Sequence, residues 1–167
     1  TWRIEARAET DGPVLASQAF LVEDFLPERI DFDLSMSESP QRLGATAQLG
    51  IDARYLFGAP GADLPIEGDF RISALSELPD FPGFSFGKQD SNFPIYFDYF
   101  PSPGGTDTAG KASVEVTLPE LGADAMRPLS VRYGVRLSEG SGRPVERSIE
   151  RLVLPDVPVI GIRPAFK

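Results

Sequence analysis

An antiparallel β-sandwich is the fold this sequence predicts, and three observations carry the prediction. Apolar side chains recur at every second position in short runs along most of the chain, the period of a strand with one buried face. Proline and glycine, 16 each, fall between those runs, where they supply turns and end regular pairing. No run carries a helical period for longer than a turn or two.

Taken in order, Trp2, Ile4, Ala6 and Ala8 alternate with Arg3, Glu5 and Arg7. Asp11-Gly12-Pro13 turns the chain, and residues 15–22 return it, so residues 2–22 read as one hairpin. A lone hairpin is marginal in water and needs another surface. Residues 23–28 have the character of a linker, with Pro27 ending regular pairing. Ile30, Phe32, Leu34 and Met36 mark the next strand, and a polar connection follows through Pro40 to Gly44. Ala47, Leu49, Ile51, Ala53 and Tyr55 then face one way, and Phe70, Ile72 and Ala74 resume the alternation after a break at Gly58, Pro60, Gly61 and Pro65. The two runs are expected to form a hairpin-like pair at the heart of the domain. Val114, Val116 and Leu118 form a further strand, and residues 121–126 have room for one short helical turn. Val131, Tyr133, Val135 and Leu137, then residues 145–154, and finally Val159, Ile160 and Ile162 complete about nine short strands.

Residues 79–105 differ in kind. Phe81, Phe84, Phe86, Phe93, Tyr96, Phe97, Tyr99 and Phe100 crowd into this stretch between repeated prolines and glycines, and only residues 95–99 keep a strand pattern. So long a loop in a compact domain is uncommon and often functional. One reading has these aromatics covering the end of the sandwich or a neighbouring domain. The other makes them a partner surface, because exposed aromatic patches mark interaction sites.

Composition narrows the chemistry. At 167 residues there is room for one sizeable domain, or one domain with pieces of its neighbours. The net charge of −9 repels phosphate backbones and anionic membrane surfaces, which argues against nucleic acid as a partner. Without cysteine there is no disulfide, thiolate nucleophile or Cys-based zinc site, and without histidine the commonest general base and metal ligand are missing. No apolar run reaches the roughly 20 residues that span a bilayer, and no signal peptide is visible. Thr1 opens in mid-strand pattern, as a piece of a longer chain would.

Four constellations invite a sharper reading. Glu23, Asp24, Glu28, Asp31 and Asp33 are the carboxylates a hard cation would want, but Asp31 and Asp33 alternate with apolar residues and so belong to the solvated face of a strand, where charge deters edge pairing. Asp107 with Gly110 reads as an Asx-type turn before a strand. Neither the Gly58–Gly61 pair nor the run 139–142 opens a helix, as a phosphate cradle requires. Ser141 lies between glycines with the wrong spacing for a nucleophile elbow. No catalytic, metal-binding or cofactor-binding residue is assigned, and no enzyme activity is expected.

Two motifs carry a family resemblance. Phe20-Leu21-Val22-Glu23-Asp24-Phe25-Leu26-Pro27-Glu28-Arg29-Ile30 resembles the junction between successive macroglobulin domains in the α2-macroglobulin family. Ala53-Arg54-Tyr55-Leu56-Phe57-Gly58-Ala59-Pro60, followed by Leu64-Pro65-Ile66-Glu67-Gly68, is similar to a run inside the same domains, in a form nearest the bacterial branch. Arg143-Pro144-Val145 and residues 160–166 fit the bacterial members as well.

The resemblance implies a fibronectin-III-like sandwich of about seven core strands, plus flanking strands. Residues 1–26 would be the closing hairpin of a preceding macroglobulin domain with its linker, residues 27–156 one complete domain with the aromatic loop 79–105, and residues 157–167 the first strand of the next. It implies a scaffold domain within a large periplasmic, lipid-anchored protein that traps proteases after cleavage of a bait region. Partners would be neighbouring macroglobulin domains and, through the whole protein, proteases. The alternative is a partner-binding or adhesive module whose aromatic loop docks a partner such as a cell-wall synthesis enzyme. The Cys-x-x-Gln thioester of some members is absent, since the chain has no cysteine, and no stretch stands out as a bait region.

Overall fold

Eleven strands and no helix are found among the residues that the computed structural model describes, which are 1–21, 28–38, 40–87, 93–122, 127–140 and 143–165. The strands are β1 (Trp2–Arg7), β2 (Val14–Phe20), β3 (Ile30–Ser35), β4 (Thr46–Tyr55), β5 (Ile66–Ala74), β6 (Ser85–Phe86), β7 (Tyr96–Tyr99), β8 (Lys111–Thr117), β9 (Leu129–Leu137), β10 (Val145–Val153) and β11 (Gly161–Ile162). Seven of them make two antiparallel sheets, ordered β3-β4-β8 and β10-β9-β5-β7. This is the expected fibronectin-III-like arrangement of three strands facing four. Most of the expected linker 23–28, Ser141 and most of the expected helical turn 121–126 lie outside the described residues.

The alternation in the sequence decides which face of each strand is buried. Leu49, Ile51 and Ala53 of β4 point inward with Ile30 and Phe32 of β3 and Val114 and Val116 of β8. Opposite them stand Ile66, Phe70 and Ile72 of β5 and Val131, Tyr133 and Val135 of β9. Together they form one core. Each of the fully buried aliphatic side chains stabilises the fold by about 1.5–3 kcal/mol relative to exposure.

The expected hairpin of residues 47–74 is corrected by the structure. β4 pairs with β3 and β8, whereas β5 pairs with β7 and β9, so the stretch passes from one sheet to the other. The break between them is an arch. Gly58 N–H donates to Tyr55 O at 2.8 Å, Tyr55 N–H to Ala59 O at 2.8 Å, and Gly61 N–H to Ala53 O at 2.9 Å. The hydroxyl of Thr106, brought in just before β8, donates to Gly61 O at 2.6 Å and accepts from Leu64 N–H at 2.9 Å. Ladder hydrogen bonds of a strand pair are thereby replaced by bonds to a loop more than 40 residues away.

The open side of the sandwich is closed by the chain that leaves β3. Gln41 runs parallel to the end of β10: its N–H donates to Leu152 O at 2.8 Å, and its carbonyl accepts from Leu154 N–H at 3.0 Å. β1 and β2 form a separate two-stranded ladder, with Trp2 opposite Phe20 and Ala6 opposite Ala16. Its side chains are exposed on both faces. A further small ladder joins β11 to β6.

Candidate functional site

The aromatic stretch does not act as one surface; the structure divides it. Phe86 and Phe100 are buried, so these two of the eight aromatics offered as a possible partner surface belong to the interior. Phe100 packs where Gly68 leaves room: a Cβ on Gly68 would stand 1.7 Å from the ring. Phe93 and Tyr96 pack partly buried against the core, with Tyr96 stacked on Phe70 at 6.0 Å between ring centroids. Phe84 is half-buried, and Phe81, Phe97 and Tyr99 are exposed, Tyr99 by 71%.

The exposed members fall into two places. Phe81 stands edge-on to both Phe84 and Phe86, at 6.4 and 6.0 Å. Against this cluster lies the chain that follows β10, held by the β6–β11 ladder. Phe97 and Tyr99 sit instead on the outer face of β7, edge to face at 5.1 Å, with the Arg71 guanidinium 5.8 Å above the Phe97 ring.

That outer face borders an open cleft of about 830 Å³ on the four-stranded sheet. Its walls follow from register. Ser148, Gly134, Asp69 and Tyr99 form one row across four strands. The glycine makes the row concave, because a Cβ there would meet Asp69 Oδ1 at 3.2 Å. In the next row Arg136 lies between Glu146, which accepts from its Nε at 2.7 Å, and Glu67, 3.7 Å from its Nη1. On the other side Arg71 and Arg132 are directly opposite each other. Like charges so placed repel, and the ring of Phe97 gives the Arg71 cation a favourable neighbour.

The acidic residues have structural partners. Arg54 bonds Asp33 at 2.6 Å and Asp31 at 3.2 Å, and Arg147 reaches from β10 to Asp31 at 2.8 Å. Partial burial pushes the Asp31 carboxyl upward, but bonds from Arg147 and the Phe32 N–H, with the charges of Arg147 and Arg54, outweigh it and hold the group below its ordinary value. Glu28 lies 4.0 Å from Arg147, while Glu23 and Asp24 fall outside the described residues. Asp107 forms the expected Asx-type turn, its Oδ1 accepting from Ala109 N–H and Lys111 N–H at 2.8 Å each. Among the described residues, no three His, Cys, Asp or Glu side chains gather as a metal site requires.

Sequence reasoning missed the cleft, since its walls are outward-facing positions of four strands and only pairing register brings them together. It also missed that residues 160–163 return to the aromatic stretch. Gly161 was the available signal, a glycine within a strand pattern, which often marks close approach by another group.

Comparison with known proteins places this architecture among relatives. The family described as "Bacterial Alpha-2-macroglobulin MG5 domain" matches residues 28–155. An alpha-2-macroglobulin of Xylella fastidiosa (strain Temecula1 / ATCC 700964) is 30% identical over 174 aligned residues, covering 99% of this chain and 10% of the relative. The alpha-2-macroglobulin of Escherichia coli (strain K12) is 30% identical over 167 aligned residues, with the same shares. The solved structure of Escherichia coli alpha-2-macroglobulin activated by porcine elastase superposes with a TM-score of 0.71 at 30% identity, over 99% of this chain and 14% of that one. The chain thus spans about a tenth of the length of the curated relatives it matches.

Proposed function

Because the chain belongs to the bacterial alpha-2-macroglobulin family, matching its MG5 domain, we propose that it is a scaffold segment of a protease trap. One observation carries this reading. The family match runs from 28 to 155, the span of the two-sheet sandwich, while the 30% identity to a tenth of the Xylella fastidiosa alpha-2-macroglobulin covers 99% of this chain and so continues through the flanking hairpin and tail. A piece that is similar to its relatives beyond its own sandwich is built to sit between neighbours. Its work is to hold spacing and orientation, and the parts that meet a protease belong to the longer protein. Neighbouring macroglobulin domains are its immediate partners, and it carries out no turnover of its own.

The test uses the full-length parent. Incubated with an elastase-type serine protease, the parent protects a large protein substrate while a small peptide substrate is still cleaved. The 167-residue chain alone does neither. Protection by the isolated chain, or turnover by it, overturns the reading. The parent is proposed to be periplasmic and lipid-anchored, which cell fractionation with and without detergent addresses.

A second reading is favoured by one feature, the exposed Phe97–Tyr99 pair beside the cleft. It would dock a partner protein such as a cell-wall synthesis enzyme. Replacing both by alanine in the parent then abolishes capture of that enzyme and leaves protease protection intact.

A further inference from the structure

After β10 ends at Val153 the chain is held at Leu154 by Gln41 and at Asp156 by Arg42, and it next pairs with the sandwich at β11, where Gly161 lies opposite Phe86 and Ile162 opposite Ser85. The surface it meets is braced by its own backbone. Phe81 N–H donates to Leu78 O at 2.9 Å, Phe84 N–H to Phe81 O at 3.2 Å, and Phe86 N–H to Ser76 O at 2.8 Å. Phe86 is buried, and Phe81 bridges it to Phe84. The three rings are therefore held in place by turns and by each other.

The returning strand is shaped to that surface. A Cβ on Gly161 would stand 2.7 Å from the Phe86 ring and 3.3 Å from Phe84, so only glycine lets the backbone lie this close. Two residues on, the Arg163 guanidinium covers the Phe84 ring at 4.8 Å from its centroid, a favourable contact of a cation with an aromatic face. Gly83, whose φ of +78° suits glycine, lies beside the Arg163 stem, where a Cβ would make only an ordinary contact with Cδ at 3.5 Å. Alternate residues point the other way: Ile160 and Ile162 are exposed by 78% and 68%. Pro155 and Pro158 restrict the backbone of the connection.

We infer that residues 78–87 are a clasp whose ligand is this chain's own segment 160–163, and that the clasp sets the direction in which the chain proceeds away from the sandwich. One face of the strand, Gly161 and Arg163, is read by the phenylalanines. The other, Ile160 and Ile162, is an apolar face presented outward to the structure that the continuing chain builds. The inference stands on contacts within this chain and holds whether or not the parent traps proteases.

The absence of cysteine makes the test direct. Spin labels on a Glu115→Cys, Ile160→Cys pair in the 167-residue chain report the distance from β8 to the clasped strand. A single narrow distance distribution is expected. It broadens in Gly161→Val and in Phe84→Ala, while the melting temperature of the sandwich is kept. Should Gly161→Val lower the melting temperature, Arg163→Ala, a surface change, supplies the same comparison: amide exchange at 161–162 speeds about two- to fivefold. A broad distribution in the unsubstituted labelled pair, or one indifferent to Gly161→Val and Phe84→Ala together with unchanged exchange in Arg163→Ala, overturns the inference.

Discussion

The phenol of Tyr133, at the centre of β9, donates its proton to the side-chain oxygen of Gln41, on the chain that has just left β3. Tyr133 has no exposed surface, and the bond satisfies the one polar atom of an otherwise apolar ring inside the core. Gln41 in turn is tied by its backbone to β10. One side chain thus links the interior of the four-stranded sheet to the segment that closes the open side of the sandwich.

Burial pushes the Tyr133 phenol up from 10.0 to about 12, against smaller lowering effects from Gln41 and Arg151. The unfolded chain loses this proton first, so stability is intact below about pH 10 and falls as pH rises towards 12. The difference between the wild type and Tyr133→Phe should shift by about 2–3 kcal/mol across that interval. At neutral pH the substitution costs about 1 kcal/mol for the lost bond. Urea denaturation at stepped pH measures both.

Thr106 is the joint between the arch and the approach to β8. Thr106→Val keeps the shape and strips the hydroxyl, leaving Gly61 O and Leu64 N–H without their partner. Destabilisation of about 2–4 kcal/mol is expected. Thr106→Ser, which keeps both hydrogen bonds, should cost about 1 kcal/mol. Thermal melts of the two variants side by side separate hydroxyl from methyl.

Gly68 and Phe100 occupy one volume between them. Phe100→Ala should cost about 3–5 kcal/mol through the cavity it leaves, and Gly68→Ala about 1–3 kcal/mol through overpacking. The double variant should cost less than the sum, since the new methyl enters the vacated space. By contrast, Phe97→Ala and Tyr99→Ala should each stay within about 0.5–1 kcal/mol. A denaturation series over these positions tests the division of the aromatic stretch.

Asp31 joins β3 to β10 through Arg147. Its carboxyl is held below the ordinary value, so the contribution is present above about pH 4 and is lost as pH falls through the lowered folded value. The Arg147 and Asp31 side chains are 41% and 30% exposed, which keeps the contribution below about 1 kcal/mol at neutral pH. The stability difference between the wild type and Arg147→Ala should therefore shrink in acid and in high salt, leaving the part that comes from the Arg147 guanidinium over the Phe32 ring.

Much of the sandwich was legible because alternation reports burial directly. Leu49, Ile51 and Ala53 point inward as their spacing requires. Alternation is silent about partners, however, and the arch 56–65 was read as a hairpin because what replaces the ladder, the Thr106 hydroxyl, lies in a distant loop. β6 has two residues, too few to display any period. Nor could spacing separate Phe100 from Tyr99. Neighbours in sequence, they part company because Gly68, on another strand, opens a space for one ring alone.

The parallel contact between Gln41 and the end of β10 has a mechanical consequence. β3 starts at one pole of the sandwich and β10 finishes at the other, so a pull on the two ends draws these strands past each other lengthwise. The Gln41–Leu152 and Leu154–Gln41 bonds are then loaded together in shear and must rupture as a set, whereas bonds at a hairpin end would peel one at a time. A sandwich threaded this way is suited to bear tension along the chain, and its first resistance to stretching would lie at Gln41.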